Sequence, residues 1–414
     1  MNEVSQINMK NSLVTDSRII ENPFDSFWMA GYECSDQLNV HGERVDFLNI
    51  TSHLDLLDSD YENLKKFNLR TVREGLRWSH VETKPYRYDF SILKKMLLAG
   101  QEHGIQQVWD ICHFGFPDDI SPLHPHFTRR FAAICKAFAL YYKSFNFDKP
   151  LIVTPINEVS FMSWLGGDAA GTSPYCRHNG WEVKYGYMRA YIAGIEALKE
   201  VDPDVRILTT EPLINMSPNL NPTPEEIEAA KYNHDLQYQS LDMLSGRICP
   251  ELGGKPEYLD MLGFNYYYNN QWIMSPRQML GWNDPVPHKK LRLLSSLLKE
   301  AFQRYNRPIL LTETSHPKED RPLWIKYIST EITKVIQEEI PFWGVCIYPI
   351  IDRPNWDNMD DWHSPGLWDM DPKVGLNSRI LHEPSAKALL ECQNSLTSAL
   401  GVSRNQKFYL AEDF

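Results

Sequence analysis

The sequence has few of the signals that mark whole classes of protein. No apolar run approaches the 18 or more residues of a membrane span, and the first twenty residues are polar, so we expect neither a membrane protein nor a secretory signal. Its seven cysteines are dispersed, without a Cys-x-x-Cys pair or a zinc-type ligand spacing. This pattern favours reduced thiols, a cytoplasmic location and the absence of a structural metal.

Positive charge is also scarce. Lys and Arg number 42 against 54 Asp and Glu, which gives a net charge of −12. An acidic chain lacks the electrostatic footprint of a nucleic-acid-binding or membrane-surface protein, so we expect neither partner. No glycine loop of the phosphate-cradling type is present, and we expect no cofactor. The oligomeric state is left open by these features.

Apolar, strand-like runs alternate with segments of helical period along the whole chain. The predicted strands are 27–32, 69–74, 105–113, 151–157, 205–211, 259–266, 308–313 and 342–348. Apolar stripes at helical spacing predict helices near 54–64, 131–145 and 188–198. Further helices are predicted over 91–103, 224–243, 290–305, 322–338 and 384–399.

Eight such repeats predict an α/β chain folded as a single (β/α)8 TIM barrel. An open doubly wound sheet is the alternative, but such sheets usually carry a glycine fingerprint after the first strand, and Glu33-Cys34-Ser35-Asp36 stands there instead. No linker divides the chain, so we expect a polar lead-in at 1–22 and one barrel over 23–414. The segments 164–180 and 352–371 are predicted to be long loops.

Two apolar runs end in glutamate, and this is the strongest chemical signal in the chain. One run leads into Asn157 and Glu158, and another leads into Glu313. A parallel barrel places the ends of its strands at one mouth, where substrates bind. Two carboxyl groups at that mouth are what acid/base and nucleophile chemistry on a sugar requires.

Other polar residues stand at further predicted strand ends. The set comprises Arg73, Trp78, His113, Phe114, Asn265, Tyr266, Tyr267, Tyr348, Asn355 and Trp356. Together with Thr154–Glu158, Leu311–Thr314 and Leu262–Tyr267, it resembles glycoside hydrolase family 1 in order and in strand position, from about residue 27 to the last helix. Gln37 matches a sugar-binding Gln that the family carries after strand one.

The resemblance implies a retaining β-glycosidase of β-glucosidase type, acting on a carbohydrate or glycoside. Glu313 would be the nucleophile and Glu158 the acid/base, held protonated by apolar walls and the neighbouring anion. Arg73 and Tyr267 would support the ionised Glu313, with Asn265 as a further supporting residue. The substrate-binding set implied is Gln37, His113, Asn157, Tyr348, Asn355 and Trp356.

The chain departs from the family pattern at its eighth strand. Tyr348 replaces a sugar-contacting Trp, and Asn355 replaces the Glu that holds the outer hydroxyls of glucose. An amide offers one donor and one acceptor end where a carboxylate accepts twice, so the sugar need not be plain glucose or galactose.

Each assignment has a plainer alternative. Arg73 could form a structural ion pair, His113 could be a satisfied core histidine, and Tyr267 and Trp356 could be packing residues. At the level of function, a transglycosidase would use the same two carboxyl groups. A catalytically decayed, glycan-binding barrel would keep the fold without the chemistry.

Overall fold

Eight parallel strands close into a barrel in the computed structural model, which describes residues 19–371, 375, 377–400 and 407–409. The barrel strands are β1 Trp28–Gly31, β2 Thr71–Gly75, β3 Gln106–Cys112, β4 Ile152–Ile156, β5 Arg206–Pro212, β6 Met261–Asn265, β7 Ile309–Thr314 and β8 Phe342–Ile347. Each strand pairs with its sequence neighbours, and β8 pairs with β1. The predicted (β/α)8 fold is therefore confirmed.

Helices occupy the connections between these strands. Their bounds are α1 Phe47–Ile50, α2 Leu57–Lys65, α3 Trp78–Val81, α4 Ser91–His103, α5 Phe127–Lys143, α6 Val159–Gly167, α7 Gly180–Val201, α8 Pro224–Asp235, α9 Gln239–Leu244, α10 Leu294–Tyr305, α11 Arg321–Gln337 and α12 Glu383–Leu400. Among the helices so described, none combines the length and apolar character needed to cross a bilayer.

Four short sheets lie outside the barrel in the described part of the chain. They pair Ile19–Glu21 with Lys407–Tyr409, Glu82–Lys84 with Arg87–Tyr88, Trp368–Asp369 with Ile380–Leu381, and Gln271–Ile273 with both Asn215–Ser217 and Gln278–Met279. Residues 1–18 of the predicted lead-in lie outside the described range. The division of the chain at residue 22 stays a prediction.

The barrel has two apolar layers because the strands alternate their side chains between two faces. A small cluster packs inside the barrel, with residues from seven of the eight strands: Met29, Val108, Ile152, Leu208, Met261, Leu310 and Trp343. The larger cluster fills the space between strands and helices. The inner cluster closes the floor of the barrel, which leaves the opposite, carboxyl-end mouth for polar side chains.

Most predicted helices are confirmed, and the structure adds one helix, α6, that was not predicted. Predicted helix 91–103 coincides with α4, whereas 224–243 is divided between α8 and α9 by a 3-10 turn. The predicted loop 164–180 is partly wrong, because its first residues, through Gly167, belong to α6. The sequence did not indicate the start of α6, because its N-cap residue, Glu158, makes no side-chain capping bond.

Gly263 in β6 shows how closely the strands approach one another. A Cβ atom at this position would lie 2.3 Å from the Thr209 carbonyl oxygen and 2.4 Å from Thr312 Cγ2. We predict that Gly263→Ala lowers the free energy of unfolding by about 1–3 kcal/mol, because overpacking forces backbone shifts. Chemical denaturation measures the loss.

Gly104 provides the control for this substitution. It ends α4 with φ +63° and has open space around its Cα, so Gly104→Ala adds only backbone strain of about 1 kcal/mol. A larger loss for Gly104→Ala than for Gly263→Ala would contradict the packing argument.

Candidate active site

Arg73 lies at the centre of the polar mouth and is almost fully buried. Its Nη1 donates to Glu313 Oε1 at 2.9 Å and to the Thr312 carbonyl at 2.8 Å. Its Nη2 donates to Asp110 Oδ2 at 2.6 Å and to Asn157 Oδ1 at 3.2 Å. One guanidinium therefore links β2, β3 and β7 with the residue that follows β4, as its planar fork of donors allows.

Glu313 is the penultimate residue of β7 and points into the mouth. The pairing register between β7 and β8 shifts between Leu311 and Thr314, and such irregularities re-aim side chains beside active sites. Besides Arg73, the carboxylate accepts a hydrogen bond from the Tyr267 hydroxyl at 2.8 Å. Each of its two oxygens therefore accepts a hydrogen bond from a different side chain.

Glu158 lies two residues after the end of β4 and is the N-cap of α6. Its backbone lies in the left-handed region, with φ 48° and ψ 56°, which is uncommon for a residue other than glycine. Its N–H donates to the Thr210 carbonyl of β5 at 2.8 Å. The unusual conformation turns the chain from strand to helix within one residue and fixes the side chain at the mouth.

The Glu158 carboxyl group has surroundings unlike those of Glu313. Asn265 Nδ2 donates to its Oε1 at 2.8 Å, and Asn265 Oδ1 in turn accepts from Thr312 Oγ1 at 2.7 Å. Burial, followed by the charge of Glu313, raises the pKa of Glu158 well above its ordinary value. The surroundings of Glu158 therefore favour its protonated form.

His113 joins the same network through both ring nitrogens. Nδ1 lies 2.8 Å from Asp110 Oδ2, while Nε2 lies 3.2 Å from the Tyr348 hydroxyl and 3.3 Å from Asn157 Nδ2. Burial disfavours the charged ring, but Asp110 outweighs it, so the pKa of His113 is raised. The predicted substrate-binding residues His113 and Asn157 are thus brought together beside Arg73.

Tyr348, which the resemblance places against the sugar, is held in the wall of the mouth. Its hydroxyl accepts from the Cys34 N–H at 3.3 Å and donates to Glu33 Oε1 at 3.2 Å. The ring occupies space that Gly31 leaves open, because a Cβ there would lie 2.2 Å from Tyr348 Cδ2. Glu33 also lies 3.3 Å from Arg353 Nε. The Tyr348 hydroxyl therefore already has protein partners.

Gln37 and Trp356 present buried polar atoms that lack a protein partner. Within the described part of the chain, neither the amide oxygen nor the amide nitrogen of Gln37 forms a hydrogen bond, although the residue is only 2% exposed. Trp356 Nε1 is likewise buried and unpaired. Buried polar groups are normally satisfied, so these atoms are suited to a ligand that offers hydroxyl groups.

An aromatic path leads outward from Trp356. Its ring centroid lies 5.1 Å from that of Phe114 and 6.1 Å from that of Phe161, and Phe161 lies 5.8 Å from Trp164. Phe161 and Trp164 share one face of α6, three and six residues after Glu158. The Trp164 side chain is half exposed, so the path reaches the surface.

Asn355 has a different environment from the other predicted residues. Its Oδ1 accepts the Asp357 N–H at 2.9 Å, and its Nδ2 lies 3.4 Å from His363 Nε2. The side chain thus stabilises a turn within loop 352–371. A sugar hydroxyl bound by Asn355 would have to replace one of these contacts.

Sequence reasoning missed three buried carboxylates around the site: Asp110, Glu33 and Glu211. Asp110 interrupts the apolar run of β3, and a charge inside such a run requires a partner. Glu211 lies at the end of β5 and carries the same strand-end signal as Glu158 and Glu313. The sequence therefore contained a signal for these carboxylates, but their partners lie on other strands and are known only from the closed barrel.

Cys34, Asp110 and His113 have potential ligand atoms within 4.8 Å of one another. Burial raises the pKa of the Cys34 thiol, and a neutral thiol is a poor metal ligand. Asp110 Oδ2 already accepts from His113 and from the cationic Arg73. The chemistry of this set fits a hydrogen-bond network better than a metal site.

Comparison with known proteins adds a fold relationship. No protein-family model and no curated protein matches the sequence. Among solved structures, β-glucosidase from Thermotoga maritima in complex with glucoimidazole matches with a TM-score of 0.73 and 16% identity, covering 90% of this chain and 99% of that chain. The family 1 β-glucosidase structure from that organism has a TM-score of 0.72 and 16% identity, and the match covers 90% of this chain and 98% of that chain. Its complex with isofagomine lactam has a TM-score of 0.70 and 16% identity, and the match covers 91% of this chain and 99% of that chain. At this identity the likeness establishes the shared barrel fold.

The raised pKa of Glu158 has a consequence for stability. Above its ordinary pKa the unfolded chain ionises this group while the folded protein keeps the proton, so rising pH favours unfolding. We predict that Glu158→Gln stabilises the protein, with little gain near pH 4 and an increasing gain towards pH 8, by about 1.4 kcal/mol per unit of pKa difference. Denaturation curves at both pH values measure this, and an equal gain at both would contradict it.

Proposed function

We propose that this protein is a retaining, exo-acting β-glycosidase of β-glucosidase type. The observation that carries the proposal is the contrast between its two strand-end carboxyl groups. Both groups are buried, but Glu313 accepts from Arg73 and Tyr267, whereas Glu158 accepts from the neutral Asn265 amide and is biased towards its protonated form. A retaining mechanism requires one carboxylate to attack and one carboxylic acid to give a proton.

The chemistry proceeds in two displacements. Glu313 attacks the anomeric carbon while Glu158 transfers its proton to the leaving oxygen, so the glycosidic bond breaks and a covalent glycosyl-enzyme forms. Glu158, now ionised, takes a proton from water, and the hydroxide oxygen displaces Glu313. The step returns both groups to their starting protonation states and requires no cofactor.

The substrate is proposed to be a glycoside whose glycone meets Gln37, His113, Asn157 and Trp356. Support comes from the unpaired polar atoms of Gln37 and Trp356 beside the aromatic path. The matching solved structures include β-glucosidase from Thermotoga maritima in complex with deoxynojirimycin, which is consistent with a carbohydrate ligand. With Tyr348 and Asn355 bonded to protein groups, the glycone is expected to differ from glucose at its outer hydroxyls.

The same two carboxyl groups would serve a transglycosidase, in which an acceptor hydroxyl replaces water in the second displacement. Adding alcohols and measuring the ratio of transfer to hydrolysis separates the two. We also propose a cytoplasmic location, because all seven cysteines are unpaired and most are buried.

The roles of the two carboxyl groups predict that substrates with good and with poor leaving groups respond differently to their substitution. We expect Glu313→Gln to abolish turnover of every β-glycoside, because the attacking oxygen is lost. Glu158→Ala should lower kcat/KM by about 10²–10⁴-fold for substrates with poor leaving groups and much less for aryl glycosides with good ones, which need no proton. NMR of the product should show retained configuration at the anomeric carbon.

Glu331→Gln is the matched control, since Glu331 is buried on α11 and bonds Ser295 of α10, away from the mouth. The two-carboxyl mechanism would be wrong if Glu313→Gln or Glu158→Ala behaved like this control on all substrates. If a fluorosugar that traps glycosyl-enzymes left Glu313 unlabelled in an inactive parent protein, the decayed-barrel alternative would be favoured.

Gln37 tests the proposed sugar site separately from the chemistry. Gln37→Leu keeps the side-chain size and removes two hydrogen-bonding ends, so we expect kcat/KM to fall roughly 10-fold through about 0.5–1.5 kcal/mol per lost bond. The ligand-free protein should not lose stability, because the amide has no protein partner to lose. A lower Tm with unchanged kcat/KM would instead assign Gln37 a structural role.

A further inference from the structure

Glu211 is a buried carboxyl group whose charge acts on Glu158. It is the penultimate residue of β5, next to Thr210, and is only 3% exposed. Its Oε2 accepts the N–H of Ser160 at 3.1 Å. Ser160 is the second residue of α6, so Glu211 satisfies one of the helix N–H groups that have no partner within the helix.

Two consecutive residues of β5 therefore hold the chain on both sides of Glu158. The Thr210 carbonyl accepts the N–H of Glu158 itself, and Glu211 accepts the N–H two residues later. Between these anchors the backbone of Glu158 adopts φ 48°. Conformations of this kind cost free energy and persist only where surrounding contacts fix them. The side chain of Glu158 makes no capping bond, so the cap comes from Glu211.

The charges around Glu211 leave its carboxyl group incompletely compensated. Lys184 of α7 contributes an attraction, but its Nζ donates to Gln239 Oε1 at 2.8 Å. Ser160 Oγ lies 2.7 Å from Ser240 Oγ. The charge of Glu211 also acts on the Tyr191 hydroxyl and contributes to the raised pKa of that group. Burial raises the pKa of Glu211 and lowers that of Lys184.

Glu158 is faced by charges from three other strands. Glu313 of β7 and Glu211 of β5 oppose its ionisation, while Arg73 of β2 favours it. Asn265 of β6 supplies the neutral hydrogen bond. Glu211 is therefore the second acidic neighbour of Glu158, after Glu313.

We propose that Glu211 is a positioning residue for the acid/base Glu158, fixing the start of α6 through Ser160 and setting a third carboxyl group behind the acid. The role rests on the proposed glycosidase function, because it is through Glu158 that Glu211 acts. Its two components are separable. Glu211→Gln retains an oxygen that can accept the Ser160 N–H and removes the charge, whereas Glu211→Ala removes both.

The first experiment measures Glu158 directly and needs no turnover. Protein labelled with 13C at the glutamate carboxyl carbon is titrated by NMR, and the Glu158 resonance is the one missing in Glu158→Gln. We expect Glu211→Gln to move the Glu158 midpoint to lower pH by about half to one unit, because an acidic neighbour is removed. Glu331→Gln, which alters a buried glutamate that bonds the second residue of α10, should leave the midpoint unchanged.

The second experiment compares substrates whose poor leaving groups need a proton with substrates whose good leaving groups do not. Glu211→Ala should lower kcat/KM about tenfold for substrates that need a proton and less than about twofold for those that do not. Glu211→Gln should recover most of that loss at acidic pH, because the bond to Ser160 is kept. A residue that only supports folding would lower both substrate classes equally.

The two experiments separate this proposal from the proposed function. An unchanged Glu158 midpoint in both Glu211 variants would overturn the proposal, as would an equal effect of Glu331→Gln. An inactive parent protein would contradict the glycosidase function, while the titration would still decide whether Glu211 acts on Glu158.

Discussion

The polar mouth of this barrel depends on one buried guanidinium. Arg73 bonds Asp110, Asn157 and Glu313 and the backbone at Thr312, so four strand ends share a single cation. Carboxylates so far from water are tolerable only with such a partner, and losing one member of a buried pair typically costs about 3–5 kcal/mol. The contact that holds the strand ends together is therefore also the one that places a cation beside Glu313.

The two central glutamates differ because the chain delivers them differently. Glu313 reaches the mouth through a register shift within β7 and meets donors on both oxygens. Glu158 itself adopts the left-handed conformation after β4, and its carboxyl group meets the Asn265 amide and the charges of Glu313 and Glu211. The two glutamates therefore meet different partners at the mouth, and the surroundings of Glu158 favour its protonated form.

The sequence predicted the fold well, because a buried parallel strand leaves a continuous apolar run that is local in the chain. It also predicted that residues from several strand ends lie at one mouth, since a closed barrel brings such ends together, but it missed Asp110, Glu33 and Glu211 there. The start of α6 was missed because its cap, Glu211, lies 51 positions from Ser160. The turn contact of Asn355 and the partners of Tyr348 depend on loop packing, which no strand or helix period encodes.

Helix α6 carries both Glu158 at its start and the rings of Phe161 and Trp164 along one face. Glu158 and the outward aromatic surface therefore belong to one helix. Under the proposed function, a substitution that shifts α6 to suit a different leaving group would also move the proposed proton donor.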